Sequence, residues 1–290
     1  MTSRLILGTA QFGLDYGVAN TAGRITKEAG RKILLTARQE GIRRLDTAIA
    51  YGNSEQALGD YGVTDFEVIS KLPSVPEDCK DVTAWVEKQV SASLARLNVP
   101  VLDGLLLHRP DQLIGPQGKA IVRSLEQLVA DQLVKRTGLS IYSPERLHTF
   151  LSTCPVDIVQ APFNLFDQRL ITSGWLPRLK AANIEVHTRS AFLQGLLLMP
   201  ENKLPSYFNH WKTHIARWYN WLSKHPEISA TQACLSAPLL QSGIDAVVVG
   251  VDNADQLHDI ISMSTRTAIA LPDLQIDDIG LIDPSNWRIE

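Results

Sequence analysis

Cysteine is scarce in this sequence, and the spacing of its cysteines argues against disulfide bonds and against a zinc site. Cys79, Cys154 and Cys234 are isolated from one another, and no Cys-x-x-Cys pair occurs. Three scattered thiols predict neither a disulfide framework nor a zinc site, and they are typical of a reducing compartment. We therefore expect a cytoplasmic protein without a bound metal ion.

Long apolar runs and a strong charge imbalance are absent as well. No stretch of 18 apolar residues occurs, so we expect no membrane span. The first residues, from Met1 to Gly8, lack the length and the cleavage site of a signal peptide. The net charge is −3, which gives no broad attraction to nucleic acid or to anionic membranes. Neither is expected as a partner, and both a monomer and a homo-oligomer stay open.

The glycine-rich fingerprint of Rossmann domains, Gly-x-Gly-x-x-Gly, does not occur in the sequence. In doubly wound folds that loop holds the pyrophosphate of a dinucleotide. A dinucleotide site of the Rossmann kind is therefore not indicated.

Short apolar strands instead alternate with longer amphipathic helices along the chain. The helical patterns include Val82–Leu97 and Gly118–Val134. Strict alternation favours a parallel sheet, and eight repeats in about 250 residues are the size of a (β/α)8 TIM barrel. The candidate strands are Leu5–Ala10, Arg43–Ala48, Phe66–Leu72, Val101–His108, Lys135–Ile141, Asp157–Asn164, Ile184–Ser190 and Asp245–Val251.

No linker interrupts this rhythm, so residues 1–290 are interpreted as a single barrel domain. The longest departure lies at about 191–229, where Pro200 and Pro205 precede a helix rich in Trp and Tyr. We interpret it as an inserted loop and helix after strand seven. Barrel loops on that side usually shape an active site.

Four polar residues stand at the ends of three consecutive candidate strands. Asp46 ends strand two, Tyr51 follows in the next loop, Lys71 lies at the end of strand three, and His108 ends strand four. In a barrel these positions converge on one rim. Each residue alone has an ordinary interpretation, as a helix cap, a solvated lysine or a structural histidine. All four in this order favour a catalytic site.

The run Asp46-Thr-Ala-Ile-Ala-Tyr51-Gly, followed by a Lys and then a His, resembles the aldo-keto reductase family over nearly the whole chain. The resemblance implies reduction of an aldehyde, ketone or sugar-type carbonyl to an alcohol with NADPH or NADH. It implies that Tyr51 donates the proton, that Lys71, held by Asp46, lowers the pKa of Tyr51, and that His108 orients the carbonyl.

The resemblance extends to residues that bind the cofactor in the family. Gly138-Leu-Ser140 resembles Gly-x-Ser-Asn, with Ile141 where Asn is usual, and Gln160 opens a segment that resembles Gln-x-x-Tyr-Asn-Leu. By resemblance, Ser140 and Gln160 would bind the nicotinamide carboxamide.

The sequence after strand seven, Arg189-Ser190-Ala-Phe-Leu-Gln-Gly195, resembles the family's Tyr-Ser-Pro-Leu-x-x-Gly. Ser190 and the loop to Gly195 would then support the pyrophosphate. Arg189 stands where an aromatic commonly stacks on the nicotinamide, and a guanidinium can also stack. An ion pair at the barrel rim is an equally open interpretation of Arg189.

Strand eight ends in a departure from the family pattern. Gly250 and Gln256 match Gly-Ala-Arg-x-x-x-Gln, but Asp252 stands where the pattern has an Arg that meets the 2′-phosphate of NADP. A carboxylate repels a phosphate and can accept a bond from a ribose hydroxyl. The family's usual preference for NADPH is therefore in question.

Two other functions stay open. One is a nicotinamide-nucleotide-sensing regulatory subunit on the same fold, which binds cofactor and turns over slowly. The other is a barrel aldolase or isomerase in which Lys71 forms a Schiff base, although Asp46 and Tyr51 have no required role there.

Overall fold

A closed barrel of eight parallel strands forms the centre of the protein, and this confirms the predicted (β/α)8 fold. The computed structural model describes residues 4–20, 23–265 and 269–289. Each strand pairs with the next, and β8 pairs with β1 in the register Leu5↔Val247 to Gly8↔Gly250. The strands are β1 Leu5–Gly8, β2 Arg44–Asp46, β3 Glu67–Leu72, β4 Gly104–Leu107, β5 Thr137–Ser140, β6 Ile158–Pro162, β7 Glu185–Arg189 and β8 Ala246–Gly250.

Helices connect the strands and surround the barrel. The predicted helix Val82–Leu97 is present with those bounds, whereas the predicted helix Gly118–Val134 ends at Ala130. It ends early because Gln132 adopts the left-handed φ of 60°. The helices are α1 Lys27–Gln39, α2 Ser54–Tyr61, α3 Val82–Leu97, α4 Gly118–Ala130, α5 Leu147–Thr153, α6 Arg169–Thr172, α7 Trp175–Ala181, α8 Lys212–Lys224, α9 Ala230–Leu240, α10 Ala254–Ser264 and α11 Ile279–Ile282.

Apolar side chains fill the middle of the barrel. A cluster inside the barrel is separate from the larger core between the strands and the surrounding helices. Gly138 contributes no side chain here, and a Cβ at this position would lie 2.5 Å from Ile158 O. The barrel is therefore a packed core with its reactive groups at the ends. The interior cluster consists of Ile6, Ile69, Leu106, Ile158 and Ala246.

A charged network lies at the amino ends of the strands, and we call it the barrel floor. Glu185 accepts from Arg44 Nη1 at 2.8 Å and from His187 Nε2 at 2.8 Å. Arg136 bridges Glu185 and Asp103. Because this network fills the amino end of the barrel, we look for a ligand site at the opposite end, the barrel mouth.

The chain between β7 and α9 carries three short 3-10 turns and then α8. Trp218 of α8 is fully buried, and its indole nitrogen donates to Leu197 O at 3.1 Å. This is the segment expected to be an inserted loop and helix, and the interpretation of residues 1–290 as one domain stays a prediction. Within the described ranges, no helix has the length and apolar character needed to cross a membrane.

Candidate active site

Asp46 and Lys71 form a buried ion pair at the barrel mouth. They lie on the neighbouring strands β2 and β3, and Lys71 is 1% exposed. The Lys71 ammonium donates to Asp46 Oδ1 at 2.5 Å and to Thr47 O at 2.8 Å. The second Asp46 oxygen accepts from Gln160 Nε2 at 2.7 Å. Burial makes this pair rigid, because a charge withdrawn from water must keep its partners.

Tyr51 is positioned by a tight turn between β2 and α2. Its backbone N–H donates to Ala48 O at 3.0 Å, and its carbonyl accepts from Ser54 N at 3.0 Å. Ser54 begins α2, and its hydroxyl donates to Thr9 O at 2.8 Å. Gly13 packs so closely that a Cβ there would lie 1.9 Å from Tyr51 O. The loop after β1 therefore fixes the backbone that carries the phenol.

The structure brings all four candidate catalytic residues together. Lys71 Nζ lies 5.1 Å from the centroid of the Tyr51 ring. The rings of Tyr51 and His108 meet edge to face, with centroids 5.7 Å apart and planes at 82°. His108 follows directly on β4, so its ring reaches the same mouth as Asp46. A proton donor, a cation and an imidazole thus share one site.

Burial raises the pKa of the Tyr51 phenol above its ordinary value, and the Asp46 carboxylate adds to this effect. The Arg189 guanidinium opposes both. The net shift is upward because burial and Asp46 outweigh Arg189, and the lowering expected from Lys71 stays a prediction. The phenol is protonated at neutral pH, which is the state required of a proton donor.

His108 is neutral at neutral pH. Burial lowers its pKa to about 4, and the neighbouring Lys71 ammonium adds to the effect. Burial also lowers the pKa of Lys71, opposed by the Asp46 carboxylate. A neutral imidazole keeps one N–H donor, which suits a hydrogen bond to a carbonyl oxygen.

A groove of about 340 Å3 runs from Tyr51 and Asp46 across the mouth to the end of β8. Of the residues predicted to bind a cofactor, five line this groove: Arg189, Ser190, Gly195, Gly250 and Gln256. Tyr16 of the loop after β1 also lines it and accepts from Gln194 Nε2 at 3.4 Å, which links the loops after β1 and β7 above it.

Ser140 and Gln160 lie elsewhere. Both are almost fully buried, at 1% and 0% exposure, and neither lines the groove. Gln160 donates to Asp46, and its carbonyl oxygen receives a long contact of 3.5 Å from Ser140 Oγ. In this structure Gln160 supports the Asp46 carboxylate and Ser140 contacts Gln160, whereas a contact of either with a carboxamide stays a prediction.

Arg189 forms no ion pair with any described residue, so the interpretation of Arg189 as part of an ion pair at the barrel rim is wrong. Its guanidinium donates to Ile141 O at 3.1 Å and lies 4.6 Å from the ring centroid of Tyr142. Sequence reasoning missed Tyr142, which follows β5, because no motif marks it. Arg109 contacts the same ring at 4.4 Å.

The loop after β7 is conformationally strained beside the groove. Ser190, Leu193 and Gln194 have positive φ values of 64°, 47° and 54°, and Gly195 has 91°. A Cβ at Gly195 would lie 2.6 Å from Ala19 Cβ. Non-glycine residues with positive φ cost free energy and concentrate at functional sites.

The far end of the groove carries a hydrogen-bond acceptor without a donor in the described part of the chain. Asp252 Oδ1 is buried and has no hydrogen-bond partner among the described residues. Asp252 lines the groove, and its N–H donates to Gln256 Oε1 at 2.8 Å. A buried acceptor without a donor favours a ligand hydroxyl at this position. In the described parts of the chain, no cluster of three or more His, Cys, Asp or Glu side chains could hold a metal ion.

Comparison with known proteins identifies several similar aldo-keto reductases. Aldo-keto reductase YhdN of Bacillus subtilis is 27% identical over 206 residues, which cover 67% of this chain and 60% of that protein. Aflatoxin B1 aldehyde reductase member 2 of Rattus norvegicus is 25% identical over 303 residues, covering 87% of this chain and 77% of that protein. The chain spans 48–60% of the length of three of the curated relatives it matches.

Solved structures share the fold. The holo form of an aldo-keto reductase from Bacillus halodurans superimposes with a TM-score of 0.71 over 93% of this chain and 88% of that one, at 19% identity. The model of the Aldo/keto reductase family matches residues 4–283, nearly the entire chain. The protein therefore belongs to the aldo/keto reductase family, a family of NAD(P)H-dependent oxidoreductases.

Proposed function

We propose that this protein reduces a small-molecule carbonyl to an alcohol with a reduced nicotinamide cofactor. The observation that carries the proposal is the contact of Tyr51, Lys71 and His108 at the mouth of the barrel, beside a groove of about 340 Å3. The ring centroids of Tyr51 and His108 are 5.7 Å apart, so the two side chains are close enough to act on one carbonyl group.

The cofactor, when bound, would supply the hydride to the carbonyl carbon. Tyr51 would give its phenolic proton to the carbonyl oxygen as negative charge develops there. Neutral His108 would donate a hydrogen bond to the same oxygen and orient it. Lys71, with two of its three N–H groups held by Asp46 and Thr47, would stabilise the phenolate that remains.

We further propose that the protein uses NADH at least as well as NADPH. Of the described residues that line the groove, Arg189 is the one with a positive charge, whereas Asp46, Asp252 and Asp259 are acidic. Arg189 lies at the end of β7, and Asp252 lies beyond the end of β8. A 2′-phosphate next to Asp252 would meet repulsion, and a ribose hydroxyl would satisfy Asp252 Oδ1.

A panel of aldehydes and ketones, assayed separately with NADH and NADPH at 340 nm, tests this proposal. We expect multiple turnovers on at least one carbonyl, with NADH giving a kcat/KM equal to or above that with NADPH. Tight binding of either nucleotide without turnover on any carbonyl would contradict the proposed reductase activity and would support a nucleotide-sensing subunit. Turnover with NADPH alone would contradict only the cofactor assignment.

A further inference from the structure

Two arginines flank Tyr142 at the barrel mouth, and no carboxylate in the described part of the chain pairs with them. Arg109 Cζ lies 4.4 Å and Arg189 Cζ 4.6 Å from the centroid of the Tyr142 ring. Among the described residues neither guanidinium has an acidic partner. A guanidinium can stack on an aromatic face and still direct its N–H donors outward. Tyr142 therefore orders two cations that keep free donors.

The surrounding charges leave this area positive. Asp46 is the carboxylate that acts electrostatically on both Tyr51 and His108, and it is already bound by Lys71 and Gln160. Lys71, Arg109 and Arg189 all act electrostatically on the His108 ring. Three cations thus surround a site with one acid, and a substrate with a negative charge would be attracted to it.

Arg109 lies outside the groove and next to His108 in the chain, which distinguishes it from Arg189. It follows His108 directly, so its backbone lies about 3.8 Å from the residue that would orient the carbonyl. It does not line the groove that would take the dinucleotide, whereas Arg189 does. A role toward the cofactor can explain Arg189 but leaves the exposed Arg109 unexplained.

We propose that the substrate is a carbonyl compound that carries an anionic group, a carboxylate or a phosphate, bound by Arg109 and Arg189 across Tyr142. This inference rests on the proposed function for the carbonyl and on the two guanidinium positions for the anion. Carboxylate and phosphate groups both match the fork of N–H donors on a guanidinium, and the experiment below distinguishes between these two anions.

Matched substrate pairs test the proposal in the presence of NADH. One pair is 4-carboxybenzaldehyde and its methyl ester, and the other is glyceraldehyde 3-phosphate and glyceraldehyde. We expect kcat/KM for the charged member of one pair to exceed that of its neutral partner by about 10- to 100-fold, as charge-assisted hydrogen bonds provide. The favoured pair identifies carboxylate or phosphate as the anion.

Arg109→Met should reduce this charged-to-neutral ratio at least about tenfold, and Arg109→Lys should reduce it less. Arg146→Met is the matched control, because Arg146 is exposed on the chain after β5 and is paired with Asp111 at 2.5 Å. It removes the same charge and should leave the ratio as in the wild type.

Calorimetric titration of benzoate, inorganic phosphate and neutral benzamide, with and without NADH, measures the anion site without turnover. If benzoate or phosphate binds the wild type and binds Arg109→Met more weakly, the anion site is supported. This holds even if no aldehyde is reduced, because the absence of reduction would contradict only the proposed reductase activity. The proposed anion site would be overturned if kcat/KM were equal within both substrate pairs. It would also be overturned if Arg109→Met left the affinity for the anions unchanged.

Discussion

His108 differs from an ordinary histidine because burial and Lys71 hold its pKa at about 4. At pH 7 it is a neutral hydrogen-bond donor that faces Tyr51 at 5.7 Å between ring centroids. We expect His108→Ala to lower kcat/KM for the carbonyl about 10²–10³-fold, as removal of a transition-state donor does. NADH affinity from fluorescence titration should change little. Equal losses of catalysis and cofactor affinity would show that His108 is structural.

The pH profile follows from the same groups. Since the pKa of His108 is lowered from 6.5 to about 4, the free protein keeps a neutral imidazole down to about that pH. The pKa of Tyr51 is raised, so the phenol stays protonated beyond its ordinary value of 10.0. We expect kcat/KM for reduction to show no loss from either group between about pH 5 and 10. A midpoint near pH 6.5 that disappears in His108→Ala would contradict the burial effect.

We propose that Asp252 sets the cofactor preference. Asp252→Arg would replace a buried acceptor without a partner by a cation, so we expect a shift toward NADPH of about 1–3 kcal/mol, the size of one charged hydrogen bond. The ratio of kcat/KM values for the two cofactors measures it. Asp255→Arg adds the same charge on α10 at an exposed position outside the groove lining and serves as the control. An equal shift in both variants would indicate a general charge effect.

At the residue scale, the sequence predicted which residues meet but not how they titrate. The order of Asp46, Tyr51, Lys71 and His108 predicted the cluster because strand ends converge in a barrel. The direction of the Tyr51 pKa depends on burial, which the motif does not encode. Tyr142 was missed because its importance comes from the contacts of Arg109 and Arg189 in space.

At the scale of elements, the second half of the motif is structural. Glu55, near the start of α2, is 2% exposed. It accepts from Ser70 Oγ of β3 and Ser93 Oγ of α3 at 2.6 Å each, and from Arg96 Nη2 of α3 at 2.6 Å. This buried carboxylate ties α2 to the strand that carries Lys71, so the helix after Tyr51 has one position against the barrel.

Gly59 allows the close approach of α2 and α3. A Cβ at Gly59 would lie 2.0 Å from Arg96 O, a backbone atom that cannot move alone. We expect Gly59→Ala to reduce the free energy of unfolding by about 1–3 kcal/mol through overpacking. Gly115→Ala is the control, because its Cβ would meet Gln112 O at an ordinary 3.5 Å and its φ is −85°. Denaturant unfolding measures both, and equal stability of the two variants would contradict this packing.

The elements themselves were largely predictable. The eight candidate strands contain the observed ones, and each candidate is longer by one to four residues. The early end of α4 was not predictable from apolar spacing, since it depends on the positive φ of Gln132. Ser140 and Gln160 were placed on the correct strands. The hydrogen bond from Gln160 to Asp46 and the contact of Ser140 with Gln160 nevertheless required the closed barrel.

For the molecule as a whole, the two ends of the barrel have different roles. The apolar interior separates the barrel mouth from the floor, where Glu185 interacts with His187, Arg136 and Arg44. Alternating strands and helices predicted the closed parallel barrel. The floor was not predicted, because its charges come from residues far apart in sequence.

The floor makes stability depend on pH. The hydrogen bond from His187, with the neighbouring arginines, lowers the pKa of Glu185 from 4.5 to about 2. Its contribution is fully present above about pH 4.5 and is lost as the pH falls toward 2, because the unfolded state then binds the proton more readily. We expect Glu185→Gln to cost about 1.5–3 kcal/mol at pH 7, the range for a hydrogen bond to a charged group.

Urea unfolding at pH 7 and at pH 3 checks this expectation. The difference between wild type and Glu185→Gln should shrink at the lower pH. Glu28→Gln, in an exposed pair with Lys32, should change stability little at pH 7 and serves as the control. A Glu185→Gln variant as stable as the wild type at pH 7 would show that the floor does not stabilise the barrel.

The central claim is that Tyr51 is the proton donor of a carbonyl reductase, and Tyr51→Phe tests it most directly. The variant keeps the buried ring beside Lys71 and removes only the hydroxyl. NADH-dependent reduction of the best carbonyl should fall by about 10²–10⁴-fold, while NADH affinity by fluorescence titration stays within about twofold of wild type. Turnover near the wild-type value in Tyr51→Phe would contradict the account.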